Sequence, residues 1–323
     1  MDLDVVFLGT AGSAPSARRG LPATLIRRGG DKLLIDCGEG TQRQLLKSIG
    51  LIDLEEVFIT HFHVDHFLGL PGMIKSFSLR GREAPLTVYG PPGLKQLFEI
   101  LKPVIGRNTY PIRLEELAPN DELQRDGYLV AAFEVRHRSP GFGYALIEDT
   151  RPGRFDDVKA QELGVTPGPD FGTLQRGESV TGSKGEVRPE QVVGEARRGR
   201  KVVISGDTTP CDMVRAVAHR ADLLVHEATF AHEERERAHE TGHSTALQAA
   251  EVADEVEVEM LALHHVSLRY GGGELRDEAR AVFPNAIVPR DFDRVEIPFP
   301  ERGGPVHVRA GSEPTEALAQ SGA

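Results

Sequence analysis

Within six positions this chain places four side chains able to bind a divalent metal. The run is ITHFHVDHFLG at 59–69, and it holds His61, His63, Asp65 and His66. Imidazole and carboxylate donors together suit a borderline-soft ion such as Zn2+. The two leading histidines follow an apolar, β-branched run at 57–60. In an extended segment, side chains two apart point the same way, so His61 and His63 converge. A turn after them can fold Asp65 and His66 back to the same point. With this composition, HxHxDH arises by chance in roughly one chain in a thousand, which favours a metal site over a cluster of surface histidines.

Three more candidates close β-type runs. His137 ends LVAAFEVRH, Asp207 follows KVVISG, and His265 ends MLALHH, with His264 beside it as a second possible donor. Singly, a His or Asp after a strand is more often a hydrogen-bonded turn residue. Together with the first four they make seven ligands, enough for two metal ions that share one carboxylate. The ends of successive strands are where an α/β sheet holds such groups rigidly. His219, His232, His239 and His307 have no such company and read as solvated surface. Cys37 and Cys211 read as small buried residues.

The elements that must position these groups alternate short β-branched runs with capped or amphipathic segments, an α/β pattern. Strands are expected at 4–8, 23–27, 32–36, 57–60, 86–89, 129–135, 143–147, 201–205, 223–226 and 260–263. Helices are expected at 41–49, 93–105, 213–219, 244–253 and 274–281, the fourth opening at Ser244 with Gln248 behind it. Between 150 and 200 the chain is rich in Gly, Pro and charge, with weak apolar periodicity, as in GVTPGPDFGTLQRGESV. A stretch of that length inside a compact domain is a functional excursion or a linker. The expected organisation is one fold in two parts, 1–149 and 201–310, with a protruding flexible arm at 150–200 and a disordered tail at 311–323.

The 323 residues, 39% hydrophobic and 27% charged, are ample for a sizeable core. No apolar run is long enough to cross a membrane, and no secretory signal pattern opens the chain. Two cysteines exclude a disulfide scaffold and point to a reducing cytoplasm. A net charge of −11 excludes bulk electrostatic adhesion to nucleic acid or an anionic membrane, so any RNA contact must be local.

The HxHxDH run, a later single His, SGDT and a final His resemble the metallo-β-lactamase superfamily. That resemblance implies a four-layer αββα sandwich with its metals at one sheet edge. It also implies two Zn2+ per subunit, one held by His61, His63 and His137 and the other by Asp65, His66 and His265, with Asp207 bridging. His265 is preferred over His264 because it opens HVSLRY, similar to the HxSxRY ending of one branch. FLGTAGSAP, IDCGEGTQRQL, LTVYGPPG, SGDTTPC, HEATF, GHSTA and HHVSLRY together resemble the ribonuclease Z branch in its short bacterial form, over about residues 3–298. The chain departs from that branch where Gly20, in place of asparagine, follows Arg19.

This second resemblance implies endonucleolytic removal of the 3′ trailer from precursor tRNA. It implies that Asp65 accepts the proton of the attacking water, and that His243, oriented by Glu227, protonates the leaving 3′-oxygen. Within the arm it implies substrate contacts at Gly164, Pro167, Gly168, Pro169, Gly172, Leu174 and Gly177. Local RNA-binding charge is expected from Arg151, Arg154, Arg176, Lys184, Arg197, Arg198, Arg200 and Lys201. A homodimer, in which one subunit's arm serves the other's site, is the expected assembly. The rival reading is a two-metal hydrolase of a small phosphodiester or thioester, which would share the ligands but need no arm.

Overall fold

The computed structural model describes residues 1–50 and 54–311, so all of the expected tail but Gly311 lies outside the described residues. The first half of the chain forms β1 (Leu3–Gly9), β2 (Ala23–Arg28), β3 (Asp31–Ile35), β4 (Glu56–Phe58), β5 (Leu86–Gly90) and β6 (Ile112–Glu116). Next come β7 (Glu122–Arg125), β8 (Tyr128–Glu134) and β9 (Phe142–Glu148), then the hairpin β10 (Val180–Gly182) and β11 (Gly185–Val187). The second half adds β12 (Lys201–Ile204), β13 (Leu223–Glu227), β14 (Met260–His264), β15 (Ala286–Ile287), β16 (Arg294–Glu296) and β17 (Val306–Val308). One sheet runs β17-β16-β1-β2-β3-β4-β5-β6 and the other β15-β14-β13-β12-β9-β8-β7.

Alternation along the strands shows why two sheets face each other. On β1, Leu3, Val5 and Phe7 point into a core shared with Tyr144 and Leu146 of β9 and with Val202, Val225 and Ala262 of β12–β14. The opposite faces are apolar as well, so each sheet needs an outer cover. Val6, Leu34 and Val57 pack under α1 (Thr41–Ser48), the one-turn α2 (Val64–Phe67), α3 (Gly69–Leu79) and α4 (Leu94–Ile105). Helix, sheet, sheet, helix is thus the layer order of the body.

The ten expected strands and five expected helices are all present, with ends shifted by a few residues. The strand expected at 57–60 stops at Phe58. The helix expected from Ser244 begins two residues later, at Ala246, because Thr245 is its cap: Thr245 Oγ1 accepts from the Gln248 N–H at 3.2 Å and Gln248 Oε1 from the Thr245 N–H at 3.0 Å. Ser244 instead donates to the Thr208 carbonyl at 2.6 Å. Helix α3 was hidden by the Gly and Pro in GLPGMIKSFSL, yet Leu70, Met73, Ile74 and Phe77 keep helical spacing and are buried.

Residues 151–197 form a small unit with its own interior. It contains α5 (Asp157–Glu162), α6 (Pro169–Gln175), the β10–β11 hairpin and α7 (Pro189–Val192). Ala160, Val165, Leu174, Val180, Val187 and Val192 are buried together, and Phe155 packs on Phe171. The neck is closed by paired backbone bonds between Arg151 and Arg197, each 2.8 Å. The weak periodicity of this stretch therefore hides a built module rather than a structureless loop. Leu174 is a core side chain of it and faces no partner outside. Pro167, Gly168, Pro169 and Gly177 are exposed, and Gly164 and Gly172 are half-buried.

Several basic residues expected to serve RNA are engaged inside the protein. Arg200 is 1% exposed; it grips the Glu148 carboxylate and stacks on Phe299. Arg28 reaches the same carboxylate, so one buried Glu balances two guanidiniums at the rear of the sandwich. Arg198 pairs with Asp222, and Arg151 and Arg197 both pair with Glu301. Lys201 donates to the carbonyls of Val217 and His219. Among the described residues, α8 (Asp212–Ala218), α9 (Arg235–Thr241), α10 (Ala246–Glu255) and α11 (Gly273–Arg280) complete the helices, and three of them, α8, α10 and α11, cover the second sheet beside Val203, Leu224 and Leu261.

Candidate metal centre

Four loops leave neighbouring strand ends and meet. The loop after β4 carries His61 and His63 and runs into α2 with Asp65 and His66. His137 follows β8, Asp207 follows β12, and His265 follows β14. All seven expected ligands are brought together. His61, His63, His137 and Asp207 form one group whose donor atoms lie within 4.8 Å of one another, and Asp65, His66 and His265 form a second. Asp207 Oδ2 sits between them, 3.7 Å from His61 Nε2 and 3.4 Å from the Nε2 atoms of both His66 and His265. Asp65 Oδ2 is 3.2 Å from His265 Nε2 and accepts the Ser13 N–H at 2.8 Å.

The buried donor set fits a cation. The Nε2 atoms of His61 and His66 are buried with no hydrogen-bond partner, a costly state for a polar atom unless something charged completes it. Each ring is turned by its far nitrogen. His66 Nδ1 donates to Asp36 at 2.7 Å, His137 Nδ1 donates to the Gly242 carbonyl at 2.7 Å, and His265 Nδ1 donates to Thr229 Oγ1 at 2.8 Å. Such bonds aim Nε2 at the centre. Despite burial, Asp207 and Asp36 hold the His66 imidazole well above its usual range, so its Nε2 proton must leave before a cation is bound there. Burial and the neighbouring His66 hold His61 well below the usual imidazole range, so it is neutral. Although burial opposes it, Asp207 stays ionised because His265, His66 and His61 surround it. Asp65 is likewise kept far below the usual carboxylate range despite burial, by the hydrogen bond from His265 and the charge of His66.

His264 does not face the centre. Its Nε2 meets the Gly9 carbonyl at 2.9 Å, and burial beside His265 pushes it down to about 3, so it donates there as a neutral imidazole. His265 is the residue that turns in, with φ +56°; Asp36 shares that left-handed geometry at +60°. Both are non-glycine residues held in a sparsely populated region, which costs on the order of 1–3 kcal/mol each and persists only under strong surrounding constraint. Gly12 shows how tight the fit is, since a Cβ there would lie 2.4 Å from His265 Nδ1.

Beside the seven ligands stands a hydrogen-bonded pair. His243 Nδ1 donates to Glu227 Oε1 at 2.8 Å, and Glu227 also accepts from the N–H groups of Thr208 and Thr229 and from Thr229 Oγ1. Burial works against it, but Glu227 raises the His243 imidazole to about 9, so it is protonated at neutral pH. Thr229 links His265 to Glu227 and thereby ties this pair to the ligand set. Asp36, Thr229 and the Gly242 carbonyl are supporting groups that sequence reading did not single out. Asp36 stands in IDCGEG and Thr229 in HEATF, so the motifs were visible but the individual roles were not.

The arrangement offers clustered metal-ligating side chains with an acid beside them. This fold and ligand set define a protein of the metallo-β-lactamase superfamily, whose family model matches residues 19–235. The chain is 45% identical over 302 residues to the ribonuclease Z of Methanosarcina mazei, which covers 92% of this chain and 99% of that protein. It is 44% identical over 303 residues to that of Archaeoglobus fulgidus, covering 92% and 98%. The solved structure of human tRNase Z, short form, superposes with a TM-score of 0.66 at 28% identity, over 91% of this chain and 99% of that one. A metallo-beta-lactamase fold protein of Bacillus subtilis, 19% identical with a TM-score of 0.67 over 92% and 100%, shares the fold. The chain belongs to the ribonuclease Z family and is an enzyme.

Proposed function

We propose that this enzyme removes the 3′ trailer from precursor tRNA by a zinc-dependent endonucleolytic cut. The products are a tRNA with a free 3′-OH and a trailer with a 5′-phosphate. The observation that carries this reading is the convergence of seven ligand side chains beside a protonated His243 held by Glu227. His61, His63 and His137 would hold one Zn2+, and Asp65, His66 and His265 the other, with Asp207 between them. When bound, such a pair polarises the scissile phosphate and acidifies water.

The chain's own groups supply the proton transfers. Asp65 is ionised, and only its Oδ2 is engaged by Ser13 and His265; it accepts the proton of the attacking water. His243 uses Nδ1 to hold Glu227, which leaves Nε2 to protonate the departing 3′-oxygen. Exposed His63 marks the open side from which RNA enters. The module at 151–197 supports a long substrate, since hydrolysis of a small ester would not need it; its exposed tip at 167–169 is the proposed contact with the tRNA body. We infer a homodimer as well: Ile100 and Val104, four apart on α4, are 67% and 76% exposed, an apolar pair that a second subunit would cover. No helix among the described residues is long and apolar enough to cross a membrane, in keeping with work in the cytoplasm.

The test is end analysis of the cut. A 3′-extended precursor tRNA should yield one product ending in a 3′-OH after the discriminator nucleotide and one trailer with a 5′-phosphate, and Asp65→Ala should yield neither. A 3′-phosphate or 2′,3′-cyclic end on the tRNA would refute this chemistry.

A further inference from the structure

Arg200, Arg198, Arg151 and Arg197 are committed to carboxylates of this chain, and Arg154, Arg176 and Lys184 stand on the 151–197 module, so a phosphate contact on the body of this acidic chain needs other cations. Such cations are concentrated around a second cavity, of about 220 Å³, next to α11. Arg19, Arg276, Arg280, Arg290 and Arg309 all line it. One carboxylate shares the cavity, Asp293, and it is already taken by His307 Nε2 at 2.9 Å and by the N–H groups of Arg290 and Ala310. His307 is thus a partner of Asp293 rather than a solvated surface residue. Arg19 and Arg280 are hydrogen-bonded to neutral acceptors, and Arg276 to one surface carboxylate: Arg19 holds Thr10 and the Pro289 carbonyl, Arg280 donates Nε to the Ala286 carbonyl, and Arg276 reaches Asp277.

The guanidiniums of Arg19, Arg276, Arg280 and Arg290 around one concavity repel one another, and an anion relieves that repulsion. The backbone adds to this. Gly272, at φ +83°, caps α11 with no side chain over its first-turn N–H groups, and a Cβ at Gly271 or Gly273 would meet nothing within 4 Å. Uncovered N–H groups at a helix start favour negative charge, here in concert with the arginines. The cavity is also coupled to the metal centre by the chain. Gly271 follows His265 by six residues, a span of at most about 20 Å.

We propose that this cavity holds backbone phosphates of the RNA a few nucleotides from the scissile bond and so fixes the strand against the metal centre. This rests on the reading of the protein as a nuclease of precursor tRNA. The guanidinium fork matches phosphate oxygens without reading sequence, which suits an enzyme acting on many tRNAs.

The test uses the double variant Arg276→Ala/Arg290→Ala, at side chains outside the metal centre, and Arg276→Lys/Arg290→Lys beside it. KM for precursor tRNA should rise about tenfold or more with kcat little changed, and the log–log salt slope of binding should become shallower by about 1–2. The lysine pair should recover most of the loss. Hydrolysis of bis(p-nitrophenyl) phosphate should stay at the wild-type rate. Precursor binding to the chelated, metal-free protein keeps the two readings apart. Metal-free wild type that binds precursor more tightly than the alanine pair supports this site, and if the Zn2+-loaded wild type then fails to cut the bound precursor, the assigned reaction is overturned while this site stands. Equal binding and equal salt slopes for wild type and the alanine pair overturn this site. So does an alanine pair that loses only inorganic phosphate binding, since the cavity would then serve a free anion.

Discussion

Asp36 should decide how well the second metal position binds, although it touches no metal in the proposed arrangement. Its carboxylate accepts from His66 Nδ1 at 2.7 Å and from the N–H and hydroxyl of Thr60 at 2.8 and 2.9 Å. Asp36→Asn keeps the shape. Its backbone, at φ +60°, suits asparagine too, so folding strain is not the variable. The amide has one acceptor oxygen for donors arriving from both sides, and its NH2 must then face either His66 or Thr60. Losing one charge-assisted bond to a buried group is worth about 1.5–3 kcal/mol. At 1.4 kcal/mol per decade, this predicts Zn2+ affinity weaker by about 10–100-fold, the range seen when the partner of a ligand histidine is removed. Competition with a chromophoric chelator measures it, and thermal unfolding of the metal-free proteins checks that both fold. Affinity within a factor of two of wild type would refute the reasoning that His66 is a metal ligand oriented by Asp36.

His243→Ala should lower kcat by about 10²–10⁴ with metal content unchanged, read from single-turnover cleavage and elemental analysis. Glu227→Gln should move the alkaline limb of the pH–rate profile to lower pH: an acid works while protonated, and His243, at about 9 beside Glu227, falls back toward its ordinary value without it. Gly12→Ala should cut activity by about 10² or more, because the new Cβ, 2.4 Å from the ring, must displace His265, a shift read by spectroscopy of Co2+-substituted protein. Glu148→Gln should destabilise the fold by about 3–5 kcal/mol near pH 7 in urea unfolding, as it leaves Arg200 buried without a counter-charge and Arg28 with only the half-exposed Asp31 at 4.0 Å. The sign follows from its pKa: Arg200 and Arg28 hold the folded Glu148 below its unfolded value despite burial, so its stabilisation is complete above that unfolded value and fades as pH falls below it. The gap between wild type and variant should therefore narrow in acid.

What could be read from sequence was whatever depends on short-range spacing. HxHxDH shows four of the converging side chains at once because a strand end and one helical turn place them, and the VRH, SGD and HH endings show the other three because β-type runs stop there. The choice of His265 over His264 rested on the following SLRY, and the physical reason lies in φ +56°, which turns one ring inward while its neighbour bonds Gly9. Partnerships across long separations were not legible. Nothing local tells that Asp36 meets His66, or that Arg200 is swallowed by Glu148 rather than offered to RNA. The arm's interior was missed for a related reason: six buried residues drawn from helices of four to seven residues, a loop position (Val165) and two three-residue strands give no periodicity over any one window. The short strands β6, β7 and β17 at sheet edges, and β16 beside β17, carry exposed or half-exposed polar positions and gave no apolar signal either.

The central claim is a two-metal centre built from seven side chains, and the most direct measurement is metal stoichiometry against activity. The chelated enzyme is titrated with Zn2+ while cleavage of a 5′-labelled precursor tRNA is followed, for wild type and for Asp207→Asn, which removes the shared carboxylate charge. The account predicts an inactive metal-free enzyme, full activity near two equivalents per chain, and a variant that loses affinity at both positions. Cleavage that persists without metal, or saturates at one equivalent with Asp207→Asn unaffected, would contradict it.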